Sequence, residues 1–396
     1  MKNSASTHSA SPADGARLSL CRLRRKIVVW PLVVSFTTLS CGIGNVSANP
    51  QGGQVAAGAA TIQSNGAQLT VNQTTNSAII NWDSFSIGAG EHTNFIQPNA
   101  GASVLNRVTG GNLSQIYGTL TATGSVYLIN PNGIVFGPNG IVDVGGSFTA
   151  SSFDIPDSAF LKGGDLTFAG ENGAAIVNHG VIKARNGDVA LVGFHVANTG
   201  EIDARSGDVL LGAGNNILLK AEGTNRLFVL SDASENDETQ DHEDETVGVE
   251  NSGIIAAVST ELKAAGGNLY ALAVNSSGII RATGVANRNG RIVLTSDGGS
   301  IALDGRLTAR DADGSGGEVL VGGAYQGGNA AEVANASLVT ASANSVIDVS
   351  ASAERGNGGQ AIVWADETTT FAGHIDATGG TVEGDGGFAE VSGKQK

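Results

Sequence analysis

The chain has 396 residues, of which 58 are glycine, 7 are proline and 2 are cysteine, and its formal net charge is −15. Glycine occurs at roughly twice its average frequency, but without the three-residue period and abundant proline of collagen, so a collagen is excluded. The 41% hydrophobic content excludes a disordered chain, the two cysteines exclude a disulfide-stapled scaffold, and the negative charge argues against nucleic acid as a partner.

The first 48 residues differ from the rest of the chain because they are basic and then apolar. Lysine and arginine precede an apolar run over residues 27–34, and Val46-Ser47-Ala48 offers a small-residue cleavage site. This pattern predicts a signal peptide over residues 1–48 with an extended basic region, cleaved between Ala48 and Asn49. The alternative, a transmembrane anchor, conflicts with the polar residues and glycines in the second half of the stretch.

Residues 49–165 form the next predicted unit. Unlike the repeats that follow, they carry many large rings, namely Trp82, Phe85, Phe95, Tyr117, Tyr127, Phe136, Phe148 and Phe153. We therefore expect a less regular region that caps the fold. Within it, Asn130-Pro131-Asn132-Gly133 predicts a turn, because proline presets φ at one central position and glycine supplies a permissive one.

Internal repeats dominate the rest of the chain. Residues 180–191 recur without gaps as residues 200–211, and looser copies follow near residues 253, 278, 347 and 375. A period of about twenty residues indicates a solenoid. We expect these β-helix repeats to occupy residues 166–396.

Alternation within the repeats indicates which solenoid forms. In residues 182–184 and 202–204, aliphatic positions alternate with charged ones, as in a strand with one buried face. The sequence therefore predicts an all-β fold, a right-handed parallel β-helix, with Ile182 stacked on Ile202. In the same register Lys183 lies opposite Asp203, and such an opposite-charge pair contributes about 0.2–1 kcal/mol.

One segment interrupts the repeats. Residues 231–250 are dense in aspartate and glutamate. A run of like charges is usually solvated, so we expect an acidic insertion rather than a calcium site.

Four segments between residues 81 and 146 carry a resemblance to a known family. They include Asn-Trp-Asp-Ser-Phe at residues 81–85, Leu-Asn-Arg-Val-Thr-Gly-Gly-Asn at residues 105–112, and Tyr-Leu-Ile-Asn-Pro-Asn-Gly-Ile at residues 127–134. These segments are similar to the amino-terminal secretion domain of the filamentous haemagglutinin family of two-partner-secreted exoproteins. The chain departs from many relatives in lacking a second Asn-Pro-Asn motif, for which Gln97-Pro98-Asn99 is the nearest candidate, and in being short, so we expect a short or truncated member.

The resemblance implies a function for the chain. The general secretory machinery carries such exoproteins across the inner membrane of a Gram-negative bacterium, and an outer-membrane transporter with periplasmic receptor domains then recognises the amino-terminal domain. The β-helix folds at the cell surface, where it serves in adhesion or biofilm formation, with a host or cell-surface ligand that the sequence does not identify. The implied recognition or folding motif comprises Asn106, Arg107, Gly110, Gly111, Asn112, Asn130, Pro131, Asn132, Gly133 and Ile134. The alternative is that these residues only shape a turn.

Enzymatic motifs are not evident in the sequence. The histidines show no paired metal spacing, and there is no nucleophile elbow or phosphate-binding loop, so we expect no enzyme, no metal and no cofactor. One enzymatic alternative is a β-helix polysaccharide lyase or hydrolase that displays Arg185, Asp188, Arg205 and Asp208 on one face. Their recurrence is explained more simply by the repeat itself.

Overall fold

The computed structural model describes residues 49–170, 174–230, 248–265, 272–352 and 354–395. The predicted signal peptide, and the part of the predicted acidic insertion at residues 231–247, lie outside these described residues. Within the described ranges, no helix has the length and hydropathy needed to cross a membrane.

The first part of the chain forms twelve strands and one short helix. The strands β1 to β12 are Gln54–Ala57, Ala60–Asn65, Gln68–Gln73, Ser77–Trp82, His92–Ile96, Ser103–Val108, Ser114–Ile116, Thr119–Ala122, Ser125–Ile129, Ile134–Phe136, Ile141–Val144 and Phe148–Ser151. Helix α1 is Asp157–Lys162.

The middle of the chain adds twelve strands. The strands β13 to β24 are Leu166–Ala169, Ala175–Asn178, Val181–Ala184, Val189–Gly193, His195–Asn198, Glu201–Ala213, Asn216–Leu219, Leu227–Val229, Val249–Asn251, Ile254–Ala265, Leu272–Ser276 and Ile279–Thr283.

The last part of the chain adds ten strands and one 3-10 turn. The strands β25 to β34 are Arg291–Asp297, Ser300–Leu303, Arg306–Arg310, Glu318–Val321, Leu338–Ala341, Val346–Asp348, Gln360–Ala365, Thr368–Phe371, His374–Asp376 and Phe388–Gly393. The 3-10 turn is Tyr325–Gly327.

These strands stack into a parallel β-helix, which confirms the predicted fold class. Each coil contributes strands to a 22-stranded sheet that wraps two faces and to a nine-stranded sheet on the third. Strand β15 pairs in parallel with β18, which places Ile182 beside Ile202. Strand β16 pairs with β18 farther along, which places Leu191 beside Leu211. The register predicted from the twenty-residue repeat is therefore correct.

The core is a column of aliphatic side chains that point inward from successive coils. One such row is fully buried and consists of Val142, Ile182, Ile202, Ile255, Ile280, Leu307 and Ile347. Each such side chain contributes about 1.5–3 kcal/mol on burial, and neighbouring coils supply most of the surface that covers it. The coils therefore stabilise one another rather than folding singly.

An amino-terminal cap closes the first coil, as predicted. Strand β2 pairs antiparallel with β3, and β1 pairs antiparallel with β4, whereas β3 already pairs in parallel with β5. Regular coils thus begin well before residue 165. Five of the large rings lie inside these early coils, namely Trp82, Phe85, Phe95, Phe136 and Phe148, and the last two meet edge to face with centroids 5.7 Å apart. Tyr127 and Phe153 pack on the outer face instead, and Tyr117 is exposed.

A side sheet lies against the outside of the solenoid and was not predicted. Strand β19 pairs antiparallel with both β13 and β20, and we call these three strands the flap. They cover outward-facing apolar residues of the coils, including Leu105, Ile129 and Leu210, which are fully buried. This excursion from the repeats removes the apolar outer face of the coils from water.

Candidate functional site

Asn130 links neighbouring coils near the start of the solenoid through hydrogen bonds. Its side chain is fully buried, and its Nδ2 donates to Asn112 O at 2.9 Å and to Ser114 Oγ at 2.8 Å. Its backbone N–H donates to Ser151 O at 2.9 Å in the next coil. A buried amide with all of these partners is costly to remove, so Asn130 ties the loop before β7 to the turn after β9.

The turn predicted at residues 130–133 is present. Asn132 N donates to Asn130 Oδ1 at 2.9 Å, and Gly133 N donates to Asn130 O at 2.9 Å. Gly133 has φ +97, and a Cβ there would lie 2.9 Å from Ala175 O. Both the backbone conformation and the close neighbour require glycine. Because the two bonds that close the turn are local in sequence, they do not depend on the completed coil.

The two predicted motifs meet at this turn. Asn132 Nδ2 donates to Gly110 O at 2.9 Å, in addition to the bond between Asn130 and Asn112 O. Gly110 in turn packs so closely on the backbone of Asp83 that a Cβ would lie 2.1 Å from Asp83 O. Residues 110–113 and 130–133 therefore form one surface, which we call the Asn130 corner.

The residues of the Asn130 corner divide into a buried and an exposed set. Asn130 and Gly133 are buried, as is Ile134, which follows them at the start of β10. Pro131 and Asn132 are exposed, and so are Gly111, Asn112 and Leu113 across from them. The buried set shapes the turn, and the exposed set is available to a partner.

Two predicted motif residues lie away from the Asn130 corner. Asn106 is buried within the first coils, where its Oδ1 accepts a hydrogen bond from Trp82 Nε1 at 3.0 Å. Arg107 lies on the outer face and forms salt bridges with Asp154 at 2.9 Å and Asp157 at 2.8 Å, next to helix α1. Both residues hold neighbouring segments together, so their contacts in this structure stabilise the fold.

The predicted cleavage site lies at the edge of the described residues. Ala48 is outside them, whereas Asn49 is buried and its Oδ1 accepts from Thr93 Oγ1 at 3.2 Å. The segment that begins at Asn49 therefore enters the capped end of the solenoid.

An amide ladder runs through the interior and was missed by sequence reasoning. Asn178, Asn198 and Asn251 are fully buried, and Nδ2 donates to the next Oδ1 at 2.8 Å between Asn178 and Asn198 and between Asn198 and Asn251. Each asparagine stands two residues before one of the repeat glycines at 180, 200 and 253. That spacing was a signal that could have revealed the ladder.

The four charged residues of the enzymatic alternative do not converge. Asp188 and Asp208 lie next to the flap, where Arg226 Nη1 is 2.8 Å from a carboxylate oxygen of each. Arg185 instead bonds Asp143 at 2.7 Å, and Arg205 faces solvent. Burial, and then repulsion from Asp188, raises the pKa of the Asp208 carboxyl, against the opposing effect of the arginines. These residues are components of structural ion pairs on two different faces.

The charge pair expected between adjacent coils does not form. Lys183 and Asp203 are register partners, but Asp203 pairs with Arg205 at 3.4 Å, and Lys183 joins no salt bridge among the described residues. Residues two apart on one strand share a face, so Arg205 reaches Asp203 without crossing to another coil.

A buried ion pair on β22 holds the flap. Glu261 accepts from Arg226 N at 2.9 Å and from Leu227 N at 3.0 Å, and Lys263 Nζ donates to Leu227 O at 2.8 Å. The two side chains also pair with each other at 2.9 Å. Burial lowers the pKa of the Lys263 ammonium, and Glu261 opposes that change. We call these two residues the flap clamp.

Metal ligands do not cluster in the part of the chain that the structure describes, where no group of three or more His, Cys, Asp or Glu residues is placed to hold an ion.

Comparisons with known proteins agree with the fold. The chain matches the family model described as the TPS secretion domain over residues 46–309. It is 36% identical over 284 residues to a heme/hemopexin-binding protein of Haemophilus influenzae, covering 69% of this chain and 30% of that protein. A second heme/hemopexin-binding protein of Haemophilus influenzae is 38% identical over 122 residues, covering 31% of this chain and 13% of that protein. The chain thus spans less than a third of the length of either curated relative.

A solved structure is also similar. The crystal structure of the HMW1 secretion domain from Haemophilus influenzae superposes with a TM-score of 0.69 at 28% identity, covering 88% of this chain and 95% of that one.

Proposed function

Because the chain belongs to the TPS secretion domain family of two-partner-secreted exoproteins, we propose that it carries the export signal of such a protein and that the Asn130 corner is the part its transporter reads. The general secretory machinery delivers the chain to the periplasm of a Gram-negative bacterium, where the signal peptide is cleaved after Ala48. Periplasmic receptor domains of an outer-membrane transporter then bind the secretion domain. The chain folds into its β-helix at the cell surface.

The Asn130 corner supports this proposal better than any other surface. It combines a buried pin, Asn130, with exposed side chains at Pro131 and Asn132. The turn is closed by bonds that span only two or three residues. Such a turn can form in a chain that has not yet folded, which is the state in which the transporter meets it.

Surface display is the second part of the proposal. We propose that the exported β-helix serves in adhesion or biofilm formation, as the family resemblance implies. The lyase or hydrolase alternative loses its support, because Arg185 and Arg205 lie apart from the half-buried Asp188 and the buried Asp208.

Transporter-dependent export tests the proposal. The full-length chain is expressed in a Gram-negative host with and without the cognate outer-membrane transporter, and the culture medium and cell surface are probed for it. We expect export only with the transporter, and accumulation in the periplasm without it. Equal export in both strains would contradict the proposal, and a periplasmic marker protein controls for lysis.

A further inference from the structure

A long groove with both polar and apolar lining runs along one side of the solenoid, outside the Asn130 corner. It consists of two adjoining cavities of about 590 and 640 Å³ that share Thr224, Asn289 and Arg291 as lining residues. One end lies beside Ser259 and the flap loop, and the other lies beside Phe388. We call this feature the axial groove.

The floor of the axial groove follows the stacked coils. Ser259, Arg291, Glu318, Gln360 and Phe388 are register partners on five successive strands, and all of them line it. With a strand spacing of about 4.8 Å, these partners extend roughly 19 Å along the axis. Each of these coils therefore contributes a residue to the lining at the same register position.

Glycines keep the axial groove open. Gly317, Gly359 and Gly387 stack beneath it, and a Cβ on Gly359 would lie 2.0 Å from Gly317 O. No side chain fits at these positions. The glycine excess noted in the sequence thus leaves one position per coil without a side chain, next to the side chains that form this floor.

The three arginines of the axial groove are already paired. Arg226 bonds Asp188 and Asp208, Arg288 bonds Asp208, and Arg291 bonds Glu318 and, at 2.8 Å, Asn225 Oδ1. Acidic residues, including Glu222 and Asp311, add negative charge to the lining. An anionic polymer would be repelled by these residues and by the chain's net charge of −15.

The groups left available are amides. Asn287 and Asn289 are exposed and make no side-chain hydrogen bond to another described residue. The hydroxyl of Ser259, by contrast, is buried and does not face the groove's solvent. Amides can donate to and accept from the hydroxyl groups of a neutral ligand.

We propose that the axial groove binds a neutral polysaccharide chain laid along the solenoid axis. A chain of pyranose rings advances by nearly the strand spacing per ring, so successive rings meet equivalent positions on successive coils. An extended peptide fits less well, because its side chains repeat about every 6.6 Å on one face. This binding is non-catalytic and separate from transporter recognition.

Calorimetric titration of the full chain with cellohexaose, maltohexaose and mannohexaose tests the proposal, with polygalacturonate as the charged comparison. We expect at least one neutral hexasaccharide to bind, and the matching disaccharide to bind at least tenfold more weakly because it spans only part of the groove. Absence of binding by all three, or binding of polygalacturonate alone, would overturn the proposal.

Variants locate the binding. The double change Asn287→Ala and Asn289→Ala removes two exposed amides from the lining, and we expect it to weaken binding at least tenfold. Asn215→Ala, which changes an exposed asparagine outside the lining, is the matched control and keeps the wild-type affinity. Equal affinity of the groove variant and wild type would place the ligand elsewhere. Export of the groove variant remains normal, which separates this test from that of the proposed function.

Discussion

At the scale of single residues, the Asn-Pro-Asn-Gly motif separates into two roles. Asn130 is enclosed by its partners Asn112 O, Ser114 Oγ and Ser151 O, whereas Pro131 and Asn132 project from the surface. The sequence alone leaves open whether the motif forms a turn or contacts a partner. The structure assigns the turn to the buried residues and leaves the exposed residues free for contact.

Asn130→Ala tests the structural role. The substitution leaves the part-buried carbonyl of Asn112 and the buried hydroxyl of Ser114 without their donor, so we expect the free energy of unfolding to fall by about 1–3 kcal/mol. Asn132→Ala, at an exposed position in the same turn, is the matched control, and we expect a loss of less than about 1 kcal/mol. Urea denaturation followed by circular dichroism measures both. Equal destabilisation by the two changes would contradict the claim that Asn130 has a structural role that Asn132 lacks.

At the scale of elements, the flap shows how a sheet outside the solenoid is held. The flap clamp takes the place of a strand neighbour, because Glu261 accepts two backbone N–H groups and Lys263 donates to a backbone carbonyl. A carboxylate and an ammonium thus satisfy backbone groups that would otherwise be buried without partners. Their pairing with each other offsets part of the cost of burying both charges.

Glu261→Gln tests the flap clamp. The change is nearly isosteric but leaves Lys263 as a buried charge without its partner, which destabilises a protein by about 3–5 kcal/mol in comparable cases. We expect faster hydrogen–deuterium exchange in residues 216–229, while the coils before residue 151 remain protected. Glu318→Gln, on a more exposed pair, serves as the control. Unchanged exchange in the flap would show that other contacts hold it.

The elements also show which parts of the fold were predictable. The coil register follows from a two-residue alternation and a repeat of about twenty residues, both local properties of the sequence. The flap was not predictable in this way, because β13 finds its partner β19 some fifty residues later and its alternation resembles that of a coil strand. The charges at 261 and 263 likewise look like solvent-facing strand residues, and only the docked flap buries them.

The candidate site was predictable to a similar degree. The turn at residues 130–133 follows from its proline and glycine. The burial of Asn130 depends on Asn112 and Ser114 in the preceding coil, and Arg107 is held away from the Asn130 corner by its ion pair at the start of helix α1. These contacts are set by how the coil closes, which the local sequence does not specify.

At the scale of the whole molecule, the order of the coils is compatible with the export that we propose. The cap and the Asn130 corner belong to the first coils, and each later coil stacks on a completed neighbour. A chain delivered progressively can therefore extend from a preformed end. In this arrangement the segment that we propose the transporter recognises lies next to the capped end of the solenoid.

The affinity of the full-length chain for its purified outer-membrane transporter is the measurement that tests the central claim most directly. Biolayer interferometry would compare wild type with the double variant Pro131→Ala and Asn132→Ala, and Thr370→Ala, at an exposed position in a late coil, is the control. We predict that the double variant binds at least tenfold more weakly, a loss of about 1.4 kcal/mol, while the control binds like wild type. Equal affinity of all three proteins would contradict the claim that the transporter reads the Asn130 corner.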